Sequence, residues 1–534
     1  MNRKTLVLPA VAGLLTPVLA ACGGSDSGSK SSDAIVVGTT DRFTASKEIP
    51  APIDPAYAYD VGTWNILRQT VQTLMVQPRG DGEPEPEAAE SCGFTDTGNE
   101  RYACTLRSGL KFADGDPVTA ADVKYSIDRA RAIKADSSVF SLLSTIDTVE
   151  TRGDSEVIFH LKTADATFPF KLSTPVAGIV NPKNYDKDKL RDGFAVDGSG
   201  PYTMQAQVQG DQLVKATFTK NPNYKGMLTP KNDKVVLQAF DDAETMGAAL
   251  EKGDIDVMTR SMSPDQIHKL QNESGGKVRL VEMPGLEIRY LAFNTDASSM
   301  KSKAVREAMA QVIDRGELVS KVYGTQAQPL FSLVPATITG HSNSFFNKYG
   351  EPSVSKARTL LEKAAITAPV RVTLHYTTDH YGSATAKEFE VLKKQLNDSG
   401  LFDVSIEGHA WKEFVPAERK GDYDVWGMGW FPDFPDADNY VSPFLDKDNF
   451  LKSPYSNPDI INNLIPQSRR EADRLTASKN INTIQDIVAD DVPLLPIWQG
   501  KQYLATRDDI TGGEYAMNSS STLQLWELGR GISG

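Results

Sequence analysis

The chain has 534 residues, too many for one hydrophobic core, and its 40% apolar and 24% charged content is that of an ordinary globular protein. Acidic residues outnumber basic ones 70 to 57, a net charge of −13. That balance disfavours a nucleic-acid partner, whose phosphates need a basic face, and an electrostatic hold on anionic lipid.

Arg3 and Lys4 form a short positive segment, followed by an apolar run from Leu6 to Ala21 that Thr16 and Pro17 interrupt. The run is short for a bilayer span of roughly 20 residues, so residues 1–21 read as a secretory signal. It ends in Leu19-Ala20-Ala21-Cys22, then Gly23-Gly24. Small residues before the cut and a cysteine after it resemble the bacterial lipobox, which makes Cys22 the lipidation site. An ordinary signal with an incidental cysteine is the alternative. Each buried methylene contributes roughly 0.8 kcal/mol, so two or more acyl chains anchor stably where one does not. Residues 22–33 are Gly/Ser-rich and polar and read as a flexible tether from the lipid. The expected location is the extracytoplasmic face of the cell membrane, with the lipid as the only attachment.

The folded body opens with the strand-like run Ala34–Gly38. Cys92 and Cys104 flank the turn signal Asp96-Thr97-Gly98-Asn99 and lie opposite one another if the turn centres near Gly98. A disulfide there suits an oxidising compartment, with two buried free thiols as the alternative. Periodicity predicts helices over Ala120–Lys134 (capped by Thr119), Ser302–Val322, Val354–Ala365 and Ala384–Ser399, the last stopped by Gly400. Extended runs fall at Glu156–Leu161, Lys234–Phe240, Tyr290–Asn294 and Val370–Tyr376. Strands and helices interleave without a fixed repeat, which points to an α/β class.

Motifs for catalysis are absent. There is no H-E-x-x-H, P-loop or G-x-S-x-G. Ser-x-x-Lys occurs at Ser27, Ser298 and Ser353, but neither S-D-N nor K-T-G accompanies it. Six histidines (His160, His268, His341, His375, His380, His409) stand without ligand spacing. The acids Asp433, Asp436 and Asp438 lack the central glycine of a calcium loop. The reading is therefore no enzyme, no metal and no cofactor.

Lys111–Val123 (KFADGDPVTAADV) resembles the signature of family 5 extracellular solute-binding proteins, the peptide- and nickel-type receptors of ABC importers. Further matches follow: Ile53-Asp54-Pro55 with Tyr57 and Tyr59; Gly198–Tyr202 (GSGPY); Asn221–Tyr224 (NPNY); Ala249–Asp256 (ALEKGDID); Tyr290–Thr295 (YLAFNT); and Val305–Ala308 with Ile313–Arg315. Seven such matches in sequence, between Ile53 and Arg315, carry the resemblance.

The resemblance implies a two-lobe periplasmic-binding-protein type II (Venus-flytrap) fold with an extra subdomain on the first lobe. Lobe I then takes residues 34–80, 190–285 and 500–534, the subdomain 81–189, and lobe II 286–499, with hinge strands near Met283–Arg289 and Leu495–Tyr503. In the peptide-binding branch, the segment like Gly429-Trp430-Phe431-Pro432-Asp433 runs along the bound peptide as an added strand. By resemblance Asp433 takes the α-ammonium and Trp430 and Trp411 line side-chain pockets. The DP segment with Tyr57 and Tyr59 lies by the ligand, and Trp498 and Tyr503 add aromatic surface. Oligopeptide receptors can place an arginine where this chain has Gly427, so the carboxylate anchor is not evident, and Arg289, Arg371 and Arg419 are its candidates. The implied function is capture of peptides for a membrane permease and its ATPase, by a monomer. The alternatives are an oligosaccharide or metal-chelate ligand, or a lipoprotein sensor or adhesion module without transport.

Overall fold

The computed structural model describes residues 34–80, 82–134, 139–273, 276–447 and 449–531. The signal, the tether and Cys22 lie outside the described residues. No helix among the described residues is long and apolar enough to cross a membrane.

Three sheets organise the body. A seven-stranded sheet runs in the order Val278–Met283, Gln502–Arg507, Val257–Thr259, Ile35–Thr39, Lys234–Ala239, Gln212–Lys220, Tyr202–Gln209. Its first strand in the chain, IVVGT, sits at the centre, parallel to both neighbours and almost wholly buried, as a β-branched run covered on both faces should be. A six-stranded sheet has the order Ala327–Pro329, Leu494–Gly500, Ile288–Phe293, Val425–Trp430, Val370–Thr377, Phe402–His409. A four-stranded antiparallel sheet is made of Ala89–Phe94, Arg101–Leu106, Glu156–Leu161 and Ile146–Arg152.

Two large apolar cores correspond to this division. One joins the seven- and four-stranded sheets, through residues such as Val37, Phe159, Phe218 and Leu504. The other surrounds the six-stranded sheet, with Phe293, Leu374, Phe414 and Ile497 among its members. Tyr59 is packed against both.

In the four-stranded sheet Cys92 pairs directly with Cys104 and the two form a disulfide, Cα–Cα 4.1 Å. Asn99 takes the left-handed turn conformation, φ 55°. The helix Ala120–Ile133 begins with a capping box between Thr119 and Asp122, and Gly400, at φ 66°, follows the helix Ala384–Asp398. One expected helix is divided. Ser302–Val322 is two helices, Lys303–Val312 and Arg315–Val322. Ile313 turns extended, and the Asp314 side chain accepts from Glu317 N at 2.8 Å, starting the second helix afresh.

The chain passes from the seven- to the six-stranded sheet between Met283 and Ile288, and returns between Gly500 and Gln502. Among the described residues these are the two strand-to-strand crossings between those sheets. They run side by side: Gly500 N donates to the Glu287 carbonyl at 2.9 Å, and Gln499 Nε2 to the Gly285 carbonyl at 2.8 Å. A Cβ at Gly285 would lie 2.3 Å from the Gly500 carbonyl oxygen. Because backbone must move to admit it, Gly285→Ala should cost about 1–3 kcal/mol, by analogy with overpacked cores. Urea unfolding checks this, and an unchanged midpoint would show that the crossings are not in close contact.

Candidate ligand-binding site

The early Asp54-Pro55 segment builds one wall. Asp54 is buried and receives both terminal nitrogens of Arg129 at 2.8 and 2.7 Å, and the Arg191 and Ala56 amides at 2.8 and 2.9 Å. A buried carboxylate needs such full pairing, and here it clamps the loop that leads to Tyr59. Asp60 caps the next helix, Val61–Thr70, accepting from Thr63 N at 2.9 Å. Tyr59 packs edge-on against Trp64, 5.5 Å between centroids, and donates to Asp433 Oδ2 at 3.0 Å.

Asp433 comes from the opposite side. The strand Val425–Trp430 is buried throughout and antiparallel to Ile288–Phe293, with Trp430 opposite Ile288 and Gly429 opposite Arg289. Trp430 itself packs on Phe444 and Phe450, and its Nε1 donates to Asn439 Oδ1 at 3.3 Å. That oxygen also accepts from Asp433 N at 2.8 Å, while Asn439 Nδ2 donates to Asp433 Oδ2 at 2.9 Å. Asn439 thus sets the turn after the strand.

The three acids of this turn meet different fates. Asp436 is held by Arg474 at 2.7 and 2.9 Å, and Asp438 by Arg469 at 2.9 and 3.1 Å. Burial alone would raise Asp438, but Arg469 outweighs it and pulls the group down to about 2. Asp433 makes no ion pair among the described residues. Burial pushes it up to about 6, against the Asn439 and Tyr59 hydrogen bonds and the charges of Arg68 and Lys171. Its Oδ1 has no hydrogen-bond partner among the described residues, whereas Oδ2 has two. Burial likewise pushes Arg68 down to about 10, with Asp433 pulling the other way.

Near Asp433 in sequence, Phe431 has two cations close to its ring, Arg260 at 5.0 Å and Arg289 at 5.7 Å from the centroid. Arg260 is itself bonded to Asp41 at 3.0 Å. Arg289 is 8% exposed, pairs with Glu287, and lies 3.8 Å from the Tyr381 ring and 5.2 Å from Trp498. Its Nη1 is buried without a partner among the described residues. Trp498 donates to Glu388 at 3.2 Å. Trp411 opens the helix Trp411–Lys420 and stacks on His380 at 3.8 Å and edge-on to Tyr381 at 5.8 Å. Burial, then Arg260 and Arg289, pushes His380 down to about 3, so its ring is neutral.

Tyr59, Gly429, Trp430, Phe431 and Asp433 therefore form one connected group, which Trp498 joins through Arg289 and Trp411 through Tyr381. Tyr57 and Tyr503 make their hydrogen bonds elsewhere. Tyr57 donates to the Glu48 carbonyl at 3.2 Å, and Tyr503 to Glu282 at 3.1 Å. Of the three arginine candidates, Arg371 is 89% exposed in its side chain and Arg419 is also exposed, which leaves Arg289 within the group. At Gly427 a Cβ would lie 2.3 Å from the Phe389 ring, so an arginine has no room there. Sequence reasoning missed Arg68, Arg260, Tyr381 and Asn439. None belongs to a motif: Asn439 is six residues beyond Asp433 in the same turn, whereas Arg68, Arg260 and Tyr381 are brought in from distant parts of the chain.

A family model described as bacterial extracellular solute-binding proteins, family 5, matches residues 83–452. The oligopeptide-binding protein OppA of Bacillus subtilis is 25% identical over 515 residues, spanning 91% of this chain and 92% of that protein. The solved structure of the Escherichia coli murein tripeptide binding protein MppA superposes with TM-score 0.79 at 22% identity, over 93% of this chain and 98% of that one. The binding protein AgaA from A. tumefaciens R10, solved with agropinic acid, gives TM-score 0.77 at 24% identity, over 94% and 99%. The α/β fold expected from the sequence is the one these binding proteins share.

An aspartate held near 6 in the folded state lies above the roughly 3.9 of an unfolded one. Its contribution favours folding below about pH 4 and is lost as pH rises through about 6. Asp433→Asn should therefore melt higher than wild type at pH 8, with the gap closing toward pH 4. Thermal melts at both pH values check this, and a lower melting temperature at pH 8 contradicts it.

Proposed function

Because the chain belongs to the bacterial extracellular solute-binding proteins of family 5, we propose that it captures peptides between its two large sheets and presents them to an ABC permease. The observation that supports this most is Asp433. It is a part-buried carboxylate with an open oxygen, facing Tyr59 across the junction of the two cores and lacking the arginine its neighbours Asp436 and Asp438 have. A ligand ammonium at Oδ1 supplies the missing charge and lowers the cost of keeping the group ionised. The buried, aromatic-flanked Arg289 is the group best suited to the ligand's carboxylate end, in the role for which Gly427 has no side chain. Trp411, Trp430, Phe431 and Trp498 give the walls apolar area for side chains.

In this reading, lobe I comprises residues 34–80, 190–285 and 500–534, with 81–189 as its subdomain, and lobe II comprises 286–499. The paired crossings at Gly285 and Gly500 are the hinge. Ligand touching both lobes drives closure only through its extra affinity for the closed form. Cys22 carries the lipid, which keeps the receptor beside its permease. Detergent phase partition of the expressed protein checks the anchor: Cys22→Ser should move it to the aqueous phase, and wild-type protein found there would refute it.

Calorimetry with trialanine and N-acetyl-trialanine tests the binding mode. Asp433→Asn should weaken the free-amine peptide by roughly 10–100-fold, the equivalent of a charge-assisted hydrogen bond, and leave the acetylated one nearly unchanged. Wild-type affinity for the free amine should also fall below about pH 6, where Asp433 must first lose a proton. Equal losses for both peptides would remove Asp433 from this role. The likeness to a binding protein solved with agropinic acid supports a second reading, a non-peptide solute, and failure of wild-type protein to bind either peptide would favour it.

A further inference from the structure

The six-stranded sheet ends in two parallel strands, Val370–Thr377 and Phe402–His409, paired over eight residues from Val370↔Phe402 to Thr377↔His409. His375 stands opposite Glu407, and His409 lies two residues beyond Glu407, so all three side chains project from one face. His375 Nδ1 and His409 Nε2 are 3.0 Å apart. Glu407 Oε2 is 3.8 Å from the first nitrogen and 4.0 Å from the second. These distances converge on one point in front of the sheet.

From this convergence we propose that His375, Glu407 and His409 form a binding site for a divalent transition-metal ion, zinc by preference, made of residues outside the group around Asp433. Two imidazoles and one carboxylate are a ligand set that zinc accepts with a fourth position left for water. Tetrahedral zinc with Zn–N bonds of about 2.0–2.1 Å holds two nitrogens roughly 3.3 Å apart, close to the spacing already present. Glu407 has to approach by only about 0.5 Å to complete such a site, and its side chain is 57% exposed and free to swing.

The imidazoles are pre-positioned. His375 stacks on Tyr423 at 4.1 Å and 16°, and His409 on the same ring at 5.2 Å and 25°. Phe414 packs on Tyr423 in turn, 5.4 Å between ring centroids. The side chains of His375 and His409 are 12% and 25% exposed, so their rotamers are largely fixed while the ligand atoms stay together near the surface. A plain hydrogen bond between two neutral imidazoles is the competing account of the 3.0 Å contact. The two accounts differ in what they ask of Glu407, which a metal site uses and an imidazole pair does not.

Zinc titration by calorimetry on the full chain, free of any polyhistidine tag, tests the site, with cobalt absorption as a second readout. Wild type should bind one zinc per chain. His375→Gln and His409→Gln should each weaken binding at least about tenfold, a lower bound set by what losing an outer partner costs. His160→Gln, in the separate His160–Glu150 pair, should leave it unchanged. If a histidine variant fails to fold, Glu407→Gln must still weaken zinc and shift the cobalt spectrum. The proposal is overturned if wild type does not bind zinc, or if all the variants bind it alike. Magnesium should not compete, and competition by it would point to a non-specific carboxylate site.

Discussion

The double crossing at Gly285 and Gly500 is the constraint on which the rest depends. With two chain passages between the large sheets, each sheet must bury its own apolar surface, and the two cores are accordingly distinct. Between them lie side-chain contacts, Tyr59 to Asp433, Arg260 over Phe431 and Phe170 stacked on Phe434 at 5.6 Å, together with a backbone hydrogen bond from Ala166 N to the Arg469 carbonyl at 2.8 Å. Groups of this kind can be exchanged for ligand groups, whereas a continuous apolar interface could not. Arg289 and Trp498 flank the crossings in sequence, so they sit beside the junction whatever the outer loops do.

The electrostatics of the turn after Trp430 follow from one rule. A buried carboxylate must be paired, neutralised or left at a cost. Asp54, Asp436 and Asp438 are paired with arginines. Asp433 takes the third course, which makes it the acid in this turn that gains most from an incoming cation. The same rule applies to Arg289, whose buried Nη1 lacks an acceptor among the described residues although Glu287 occupies Nη2. One under-paired anion and one under-paired donor in the same group are what the proposed ligand, with an ammonium at one end and a carboxylate at the other, would satisfy.

Much of the local structure was legible from the residues. The cysteine hairpin, the Thr119 cap and the stop at Gly400 rest on short-range chemistry, and the folded chain keeps them. The break at Ile313 was missed because its cause, a new cap by Asp314, competes with a helical periodicity that runs on unbroken. The histidines gave no ligand spacing in sequence. His375 and His409 are 34 residues apart, and parallel pairing across a crossover brings them together.

By itself the sequence determined the interleaving of strands and helices and the elements with strong caps and turns, because each depends on neighbours within a few residues. The tertiary structure alone decided which acids are neutralised, which arginine lies inside the site, and which histidines meet. Those outcomes turn on burial and on partners that lie outside the local segment, 31 to 38 residues away for the acids of the turn and the histidines. Asp433 differs from Asp436 and Asp438 only because Arg474 and Arg469 fold back onto the latter two, and no spacing within the turn records that difference.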